Sequence, residues 1–201
     1  MKKLWLSIAM CLVSPFVLAA PTGEDAKAMV EHQSQIILAK LATDAEQYRQ
    51  NPDEFATLVN HEVLPYLDVE LMSRIVLGRH WQQATSAQRE AFVSAFTDLL
   101  VRVYSRSWTN YTGASVAVLG TPSVDEYQRS NIRTQVVDNR GKKVNITFSA
   151  HYDNGQWKIY DVNFEGVSIL TSYRNSFDTE IDDIGLDALI NKIGQMKGQA
   201  Q

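Results

Sequence analysis

The chain has 201 residues, a formal net charge of −4 and a hydrophobic content of 45%. This length suits one domain with a substantial apolar core. The acidic balance lacks the basic surface that nucleic-acid binding requires, so no nucleic-acid partner is expected. It also disfavours strong attraction to an anionic membrane surface.

The first 19 residues have the pattern of a cleaved Sec-type signal peptide. Lys2 and Lys3 precede an apolar run over 4–18, and small residues lead up to Ala19. The run is shorter than the roughly 20 apolar residues that a retained membrane helix needs. We therefore expect cleavage after Ala19 and a single mature domain over residues 20–201.

The cysteine content indicates the compartment. The one cysteine of the chain, Cys11, lies inside the leader. The mature domain is therefore expected to have neither disulfides nor a reactive thiol. Secreted eukaryotic domains of this size are often disulfide-bonded, so the composition favours a bacterial periplasmic location.

Four helices are predicted before the first strand. Apolar residues at helical spacing favour helices over 24–50, 52–65, 68–77 and 86–111. An Asn-Pro pair separates the first two helices, and Gly78 is a natural end for the third. The apolar side of the first helix is expected to comprise Ala28, Ile36, Ile37, Leu38, Leu41 and Ala45.

The helix predicted over 86–111 is apolar over most of its circumference. Its polar residues recur every three or four positions and form only a narrow strip. Such a helix needs apolar partners on two sides, of which one is the protein core. Its apolar residues are Phe92, Val93, Ala95, Phe96, Leu99, Leu100, Val103, Tyr104, Trp108 and Tyr111.

The pattern then changes to the alternation of strands. Segments 115–119, 131–138, 143–152 and 156–164 alternate, and glycine-containing turns join the last three as hairpins. This predicts a four-stranded antiparallel meander with one apolar face. On the strand over 143–152 that face carries Val144, Ile146, Phe148, Ala150 and Tyr152.

From residue 167 the helical period returns, and Gly185 separates a last amphipathic helix. The order of elements predicts an α+β fold: N-terminal helices, the meander sheet, and C-terminal helices packed on one sheet face around an apolar pocket. An apolar pocket and a filled core have the same sequence pattern, so both remain open at this point.

No motif for catalysis or metal binding is complete. His61-Glu62 opens like a zinc-peptidase motif, but Pro65 occupies the place of the second histidine. The acidic run over 178–187 lacks the ligand spacing of a calcium loop and fits a solvated face better. No cofactor and no metal are therefore expected, and His151 or a carboxylate remains the candidate for an alternative periplasmic enzyme.

Two blocks of the sequence resemble a known family. The segment His80-Trp-Gln-Gln-Ala-Thr is followed by Gln88-Arg-Glu-Ala-Phe and then by the apolar residues of the long helix. Gly141-Lys precedes a strand, Trp157-Lys-Ile-Tyr-Asp-Val and Gly166-Val-Ser follow, and Tyr173-Arg comes after them. In order and spacing, these blocks resemble the MlaC (toluene-tolerance) family of periplasmic phospholipid-binding proteins over nearly the whole mature chain.

The resemblance implies a phospholipid carrier rather than an enzyme. Such a carrier moves lipid between an outer-membrane lipoprotein–porin complex and an inner-membrane ABC transporter complex with an MCE-type subunit. It thereby maintains outer-membrane lipid asymmetry. We expect a monomer that holds acyl chains in the apolar pocket and leaves the head group near solvent.

The pocket lining can then be stated as a hypothesis. Acyl chains are expected between the sheet face and the helices, with Arg102 and Arg106 as candidates for a phosphate contact near the mouth. A further alternative to the lipid carrier is a protein-interaction module whose core is solid and contains no lipid pocket. The expected lining is Leu71, Ile75, Phe96, Leu99, Val103, Ile132, Val136, Val144, Ile146, Phe148, Ala150, Leu170 and Tyr173.

Overall fold

A computed structural model describes residues 20–104 and 111–195. The predicted signal peptide over 1–19 lies outside the described residues, as do Arg106, Trp108 and most of the final turns of the helix predicted over 86–111. Within the described residues, no helix is long and apolar enough to span a membrane.

In the described part of the chain, six α-helices precede the sheet where four were predicted, because the first predicted helix is divided in two and a short helix follows Gly78. A short 3-10 turn, Leu64–Tyr66, joins the third helix to the fourth. The helices are α1 (Gly23–Thr43), α2 (Ala45–Gln50), α3 (Pro52–Glu62), α4 (Val69–Leu77), α5 (Arg79–Gln83) and α6 (Ser86–Tyr104).

The sheet is an antiparallel meander in which each strand pairs with the next along the chain. Among the residues that the structure describes it has five strands rather than the four predicted, because a two-residue strand extends the edge before the last helices. The strands are β1 (Ser115–Val118), β2 (Arg129–Val137), β3 (Lys143–Asp153), β4 (Gln156–Phe164) and β5 (Val167–Ser168), followed by α7 (Ile169–Ile184) and α8 (Leu186–Gln195). The predicted α+β class is confirmed.

The first helix differs from its prediction in two ways. The helix expected over 24–50 ends at Thr43, because Asp44 leaves helical geometry with φ −109° and ψ 13°. The new direction lets Tyr48 of α2 pack with Leu41 and Phe55. The buried side of α1 also begins with Ala26 and Val30, whereas Ala28 is exposed.

Apolar side chains of residues 20–104 and 111–195 form three clusters. The helical cluster joins α4, α6, α7 and α8, and the sheet cluster joins α1 to the sheet; Leu67 packs against both. The α3 cluster consists of Leu41, Tyr48, Phe55 and Leu58. The buried members of the helical cluster are Met72, Val76, Leu77, Phe92, Ala95, Phe96, Leu99, Leu100, Leu170, Phe177, Ile181, Leu189 and Ile193.

A polar tie joins α5 to α7 at the surface of the helical cluster. His80 Nε2 lies 2.9 Å from Asp178 Oδ1, and Arg79 Nε donates to the same oxygen at 3.0 Å. Arg79 also pairs with Asp182. Burial alone would raise the pKa of Asp178, but the hydrogen bonds from His80 and Arg79 outweigh it and hold that pKa below its ordinary value.

The helical cluster is expected to carry much of the stability. Leu189 is 0% exposed within it, so Leu189→Ala should lower the free energy of unfolding by about 2–5 kcal/mol. The matched control is Leu119→Ala, since Leu119 is 42% exposed and should change the free energy by less than about 1 kcal/mol. Urea unfolding of delipidated protein measures both, and equal losses would contradict the assignment of the core.

The tie at Asp178 predicts a pH-dependent contribution to stability. Because the folded pKa is depressed, the contribution is present above the ordinary pKa of about 3.9 and is lost as the pH falls through the folded value. Asp178→Asn should lower the melting temperature by about 2–4 °C at pH 7. The difference from the parent protein should shrink as the pH falls below 4.

Circular dichroism melts of delipidated protein between pH 3 and pH 7 measure this difference. Asp183→Asn, an exposed change on the same helix, is the control and should have little effect. A loss of the same size at every pH would show that the carboxylate charge plays no part.

Candidate functional site: the apolar face of the sheet

The strand register gathers one apolar face across four strands. Residues that lie opposite each other on antiparallel strands project to the same side of the sheet. Val136 lies opposite Val116 and Val144, and Ile146 lies opposite Phe164. The face comprises Val116, Val118, Ile132, Thr134, Val136, Val144, Ile146, Phe148, Ala150, Trp157, Ile159, Val162 and Phe164.

Helix α1 packs on one end of this face. Its side chains Ala26 and Val30 belong to the sheet cluster, which contains Ile132, Ala150, Trp157 and Ile159 from the strands. Phe148 packs against the edge of the same cluster. Three predicted lining residues, Ile132, Phe148 and Ala150, are therefore part of the contact between α1 and the sheet.

The other end of the face forms a continuous apolar group that we call the sheet patch. It consists of Val116, Val136, Val144, Ile146 and Phe164, which are neighbours by register. Val136 is 6% and Ile146 is 7% exposed, yet within the described structure neither belongs to any of the three clusters. Both are therefore already covered by other parts of the protein, whereas Val144 beside them is half-buried. A predominantly apolar lining is typical of a ligand site.

The helical residues of the predicted lining lie mainly in the helical cluster. Phe96 is fully buried, stacks on Phe92 at 5.6 Å and meets the Tyr173 ring edge-on at 5.4 Å. Leu71 is half-buried and belongs to no cluster in the described part of the chain, so it resembles the sheet patch in this respect. The six residues that pack in or against the helical cluster are Ile75, Phe96, Leu99, Val103, Leu170 and Tyr173.

The structure therefore divides the predicted lining into three groups. It brings Val136, Val144 and Ile146 together, and it places three other sheet residues under α1 and six helical residues in or against the helical cluster. Leu71, the thirteenth residue, belongs to none of these groups. The residues Val116 and Phe164 were missed, although alternation and an antiparallel register would have placed them beside Val136 and Ile146. Gln33 is buried on α1, where a polar residue was not expected.

His151, the candidate general base of the alternative enzyme, has a structural role. His151 Nε2 lies 2.8 Å from Asp68 Oδ2, and the other oxygen of Asp68 accepts the backbone N–H of Leu71 at 2.8 Å. Asp68 thus caps the first turn of α4 and holds His151 at the same time. The His151 ring also meets Tyr160 edge-on, with 5.8 Å between ring centroids. The pair ties β3 to α4.

The remaining polar features do not assemble into a metal centre in the described residues. No group of three or more His, Cys, Asp or Glu there is placed to hold a metal ion. Arg102 donates to the backbone carbonyl of Ile193 at 2.7 Å, which gives it a structural partner at the end of α8. A groove of about 480 Å³ beside α2 and α3 is lined by mixed charged and polar side chains and contains none of the predicted lining residues.

A solved structure supports a lipid site on this fold. The phospholipid-binding protein of Ralstonia solanacearum, determined in complex with a phospholipid, superimposes with a TM-score of 0.77 and 26% sequence identity. The match covers 84% of this chain and 94% of that protein.

Curated relatives agree with this likeness. The chain is 23% identical over 202 residues to the intermembrane phospholipid transport system binding protein MlaC of Haemophilus influenzae, covering 98% of this chain and 94% of that protein. It is 23% identical over 177 residues to the toluene tolerance protein ttg2D of Pseudomonas putida, covering 88% and 82%. The family model described as MlaC protein matches residues 31–195, and the chain therefore belongs to the MlaC family.

Proposed function

We propose that this protein is a periplasmic phospholipid carrier. It takes lipid from, or delivers it to, an outer-membrane lipoprotein–porin complex and an inner-membrane ABC transporter complex with an MCE-type subunit. Its activity maintains the lipid asymmetry of the outer membrane, and it acts as a monomer reaching the periplasm through its signal peptide. The family and the relatives point to a lipid-binding transport protein rather than an enzyme.

The physical need for such a carrier follows from the hydrophobic effect. Moving one methylene from water to an apolar site is worth about 0.8 kcal/mol. Two acyl chains therefore amount to roughly 20 kcal/mol before entropic costs. A lipid does not cross an aqueous compartment unaided at a useful rate, so a carrier must cover both chains with apolar surface.

The sheet patch is the observation that carries this proposal. It offers a continuous apolar surface that none of the three clusters includes within the described structure. Acyl chains lying along Val136, Val144 and Ile146 would contact the end of the face opposite to the contacts of Ala26 and Val30. Leu71 would border the same space from α4.

The co-purifying lipid tests the function directly. Native mass spectrometry of protein from a Gram-negative periplasm, followed by lipid extraction, should show at least one phospholipid molecule bound to each protein chain. Delipidated protein should take phospholipid up again from liposomes. Protein that carries no phospholipid and takes none up would overturn the proposed function.

A bulky residue in the sheet patch should displace the cargo. Val144→Trp is expected to reduce bound phospholipid at least severalfold, while overpacking lowers the free energy of unfolding by about 1–3 kcal/mol at most. Val167→Trp is the matched control, because Val167 is 62% exposed on β5. Lipid occupancy is measured by phosphate assay after extraction.

If the Val144→Trp protein folds and still binds the normal amount of phospholipid, Val144 does not line the lipid site. The same loss of lipid in Val167→Trp would indicate a general effect of surface tryptophan instead.

A further inference from the structure

The turn between β2 and β3 carries the densest group of cations in the sequence. Arg140, Lys142 and Lys143 fall within four residues, and no other four-residue stretch contains three Lys or Arg residues. All three residues are exposed. We call this turn, residues 138–143, the basic tip. It contrasts with the chain as a whole, whose formal net charge is −4.

The three cations of the basic tip have no ion-pair partner among residues 20–104 and 111–195. Several cations on the helices, in contrast, already pair with carboxylates of the protein. These are Lys27, Arg49, Arg79 and Lys192. The described structure therefore leaves the positive charge of the basic tip open to a partner outside the protein.

Hydrogen bonds give the backbone of the basic tip a defined shape. Asp138 Oδ1 accepts the backbone N–H groups of Arg140 at 2.8 Å and of Lys142 at 2.9 Å. The N–H of Asp138 donates to the Lys142 carbonyl, and the N–H of Gly141 donates to the Asp138 carbonyl, each at 3.0 Å. The Asp138 carboxylate is therefore bound to the backbone inside the turn, and the turn keeps the three cationic residues together.

The basic tip lies at the same end of the sheet as the sheet patch. Val136 is opposite Val144, and the next pair toward the turn is Val137 with Lys143. Lys143 directly precedes Val144, so a cationic and an apolar residue adjoin here. One more carboxylate, Glu165, reaches this end, and both of its oxygens accept from Asn145. A phospholipid surface offers the complementary pair of features, because its phosphates lie beside its acyl chains.

Resting on the proposed carrier function, we propose that the basic tip docks the protein on an anionic phospholipid bilayer. The cations meet lipid phosphates, and the adjoining end of the sheet patch is brought to the surface from which acyl chains enter. A bilayer fits this end better than an acidic protein does, because the residues beside the cations belong to the face proposed to receive acyl chains.

The docking is expected to be weak and sensitive to salt. Each cation near an anionic lipid surface strengthens binding by only about fivefold. The acidic balance of the whole chain opposes a stronger attraction. A weak contact suits a carrier, since it orients the protein at the membrane and still allows it to leave.

Vesicle flotation tests the docking directly. Mature protein is mixed with vesicles of phosphatidylcholine alone, or of equal parts phosphatidylcholine and phosphatidylglycerol. At low salt the parent protein should bind the anionic vesicles at least about tenfold more strongly, and the preference should shrink toward about 0.15 M salt. The triple variant Arg140→Gln/Lys142→Gln/Lys143→Gln should lose most of the preference, and Lys142→Gln alone should lose about fivefold.

The matched control is Lys27→Gln/Arg49→Gln/Lys192→Gln, which removes the same charge from cations that already have carboxylate partners. It should keep most of the parent preference for anionic vesicles. Both triple variants change surface side chains and should melt within about 4 °C of the parent protein. Equal losses of vesicle binding in the two triple variants would show that net charge governs the attraction, which would overturn the proposal.

The remaining outcomes separate the docking surface from the function on which it rests. A protein that neither co-purifies with phospholipid nor takes it up fails as a carrier, whatever its binding to vesicles. A carrier that binds both kinds of vesicle equally overturns the docking surface alone and leaves the basic tip to an acidic protein partner.

Phospholipid content is measured in the same samples. The triple variant of the basic tip should hold as much phosphatidylglycerol as the parent protein, because its cargo site is unchanged. A variant that binds vesicles normally but holds less phosphatidylglycerol would assign the cations to the head group of the cargo, and this result would also overturn the docking surface.

Discussion

The rest of the structure depends on the need to cover a sheet that is apolar on only one side. Antiparallel register assembles this face from four strands, and a meander has no second sheet to pack against it. Helix α1 packs on one end through Ala26 and Val30, and α4 and α7 contact the sheet through β4. At the other end, Val136 and Ile146 of the sheet patch are already shielded within the protein, although neither belongs to the three clusters of the described residues, whereas Val144 is only half-buried.

The helical cluster serves as the stable part of the molecule. Phe92, Phe96 and Phe177 form an aromatic group at its centre, with ring centroids 5.6–6.3 Å apart. Its core brings together four helices and is separate from the sheet cluster, with Leu67 packing against both. A carrier benefits from this division, because the folded state does not need the cargo to fill its main core.

The sequence predicted the elements better than the contacts between them. Alternation and turn glycines located β2, β3 and β4 closely, since both signals are local. Helix α6 is also apolar on two sides, as its sequence predicted. Its second apolar side faces α8 and α4 rather than the sheet. Periodicity identifies which side of a helix is buried and not what covers it, so it could not show that Phe96 and Leu99 pack in the helical cluster. Gln33 could not be found in this way, because its burial follows from the position of α1 on the sheet.

A bulge in β4 determines how the sheet would respond to a one-residue deletion. The pairing of β3 with β4 shifts by one residue, so that Tyr160 is an extra residue between Ile159 and Asp161. This bulge restores Val162 and Phe164 to the apolar face, and it leaves the Asp161 carboxylate accepting from the Ser168 hydroxyl and the Leu170 N–H at the start of α7. Deletion of Tyr160 alone would leave Ile159, Val162 and Phe164 on one face by regular alternation and would keep Asp161 beside the start of α7. The bulge is therefore the place in the sheet most tolerant of a one-residue deletion.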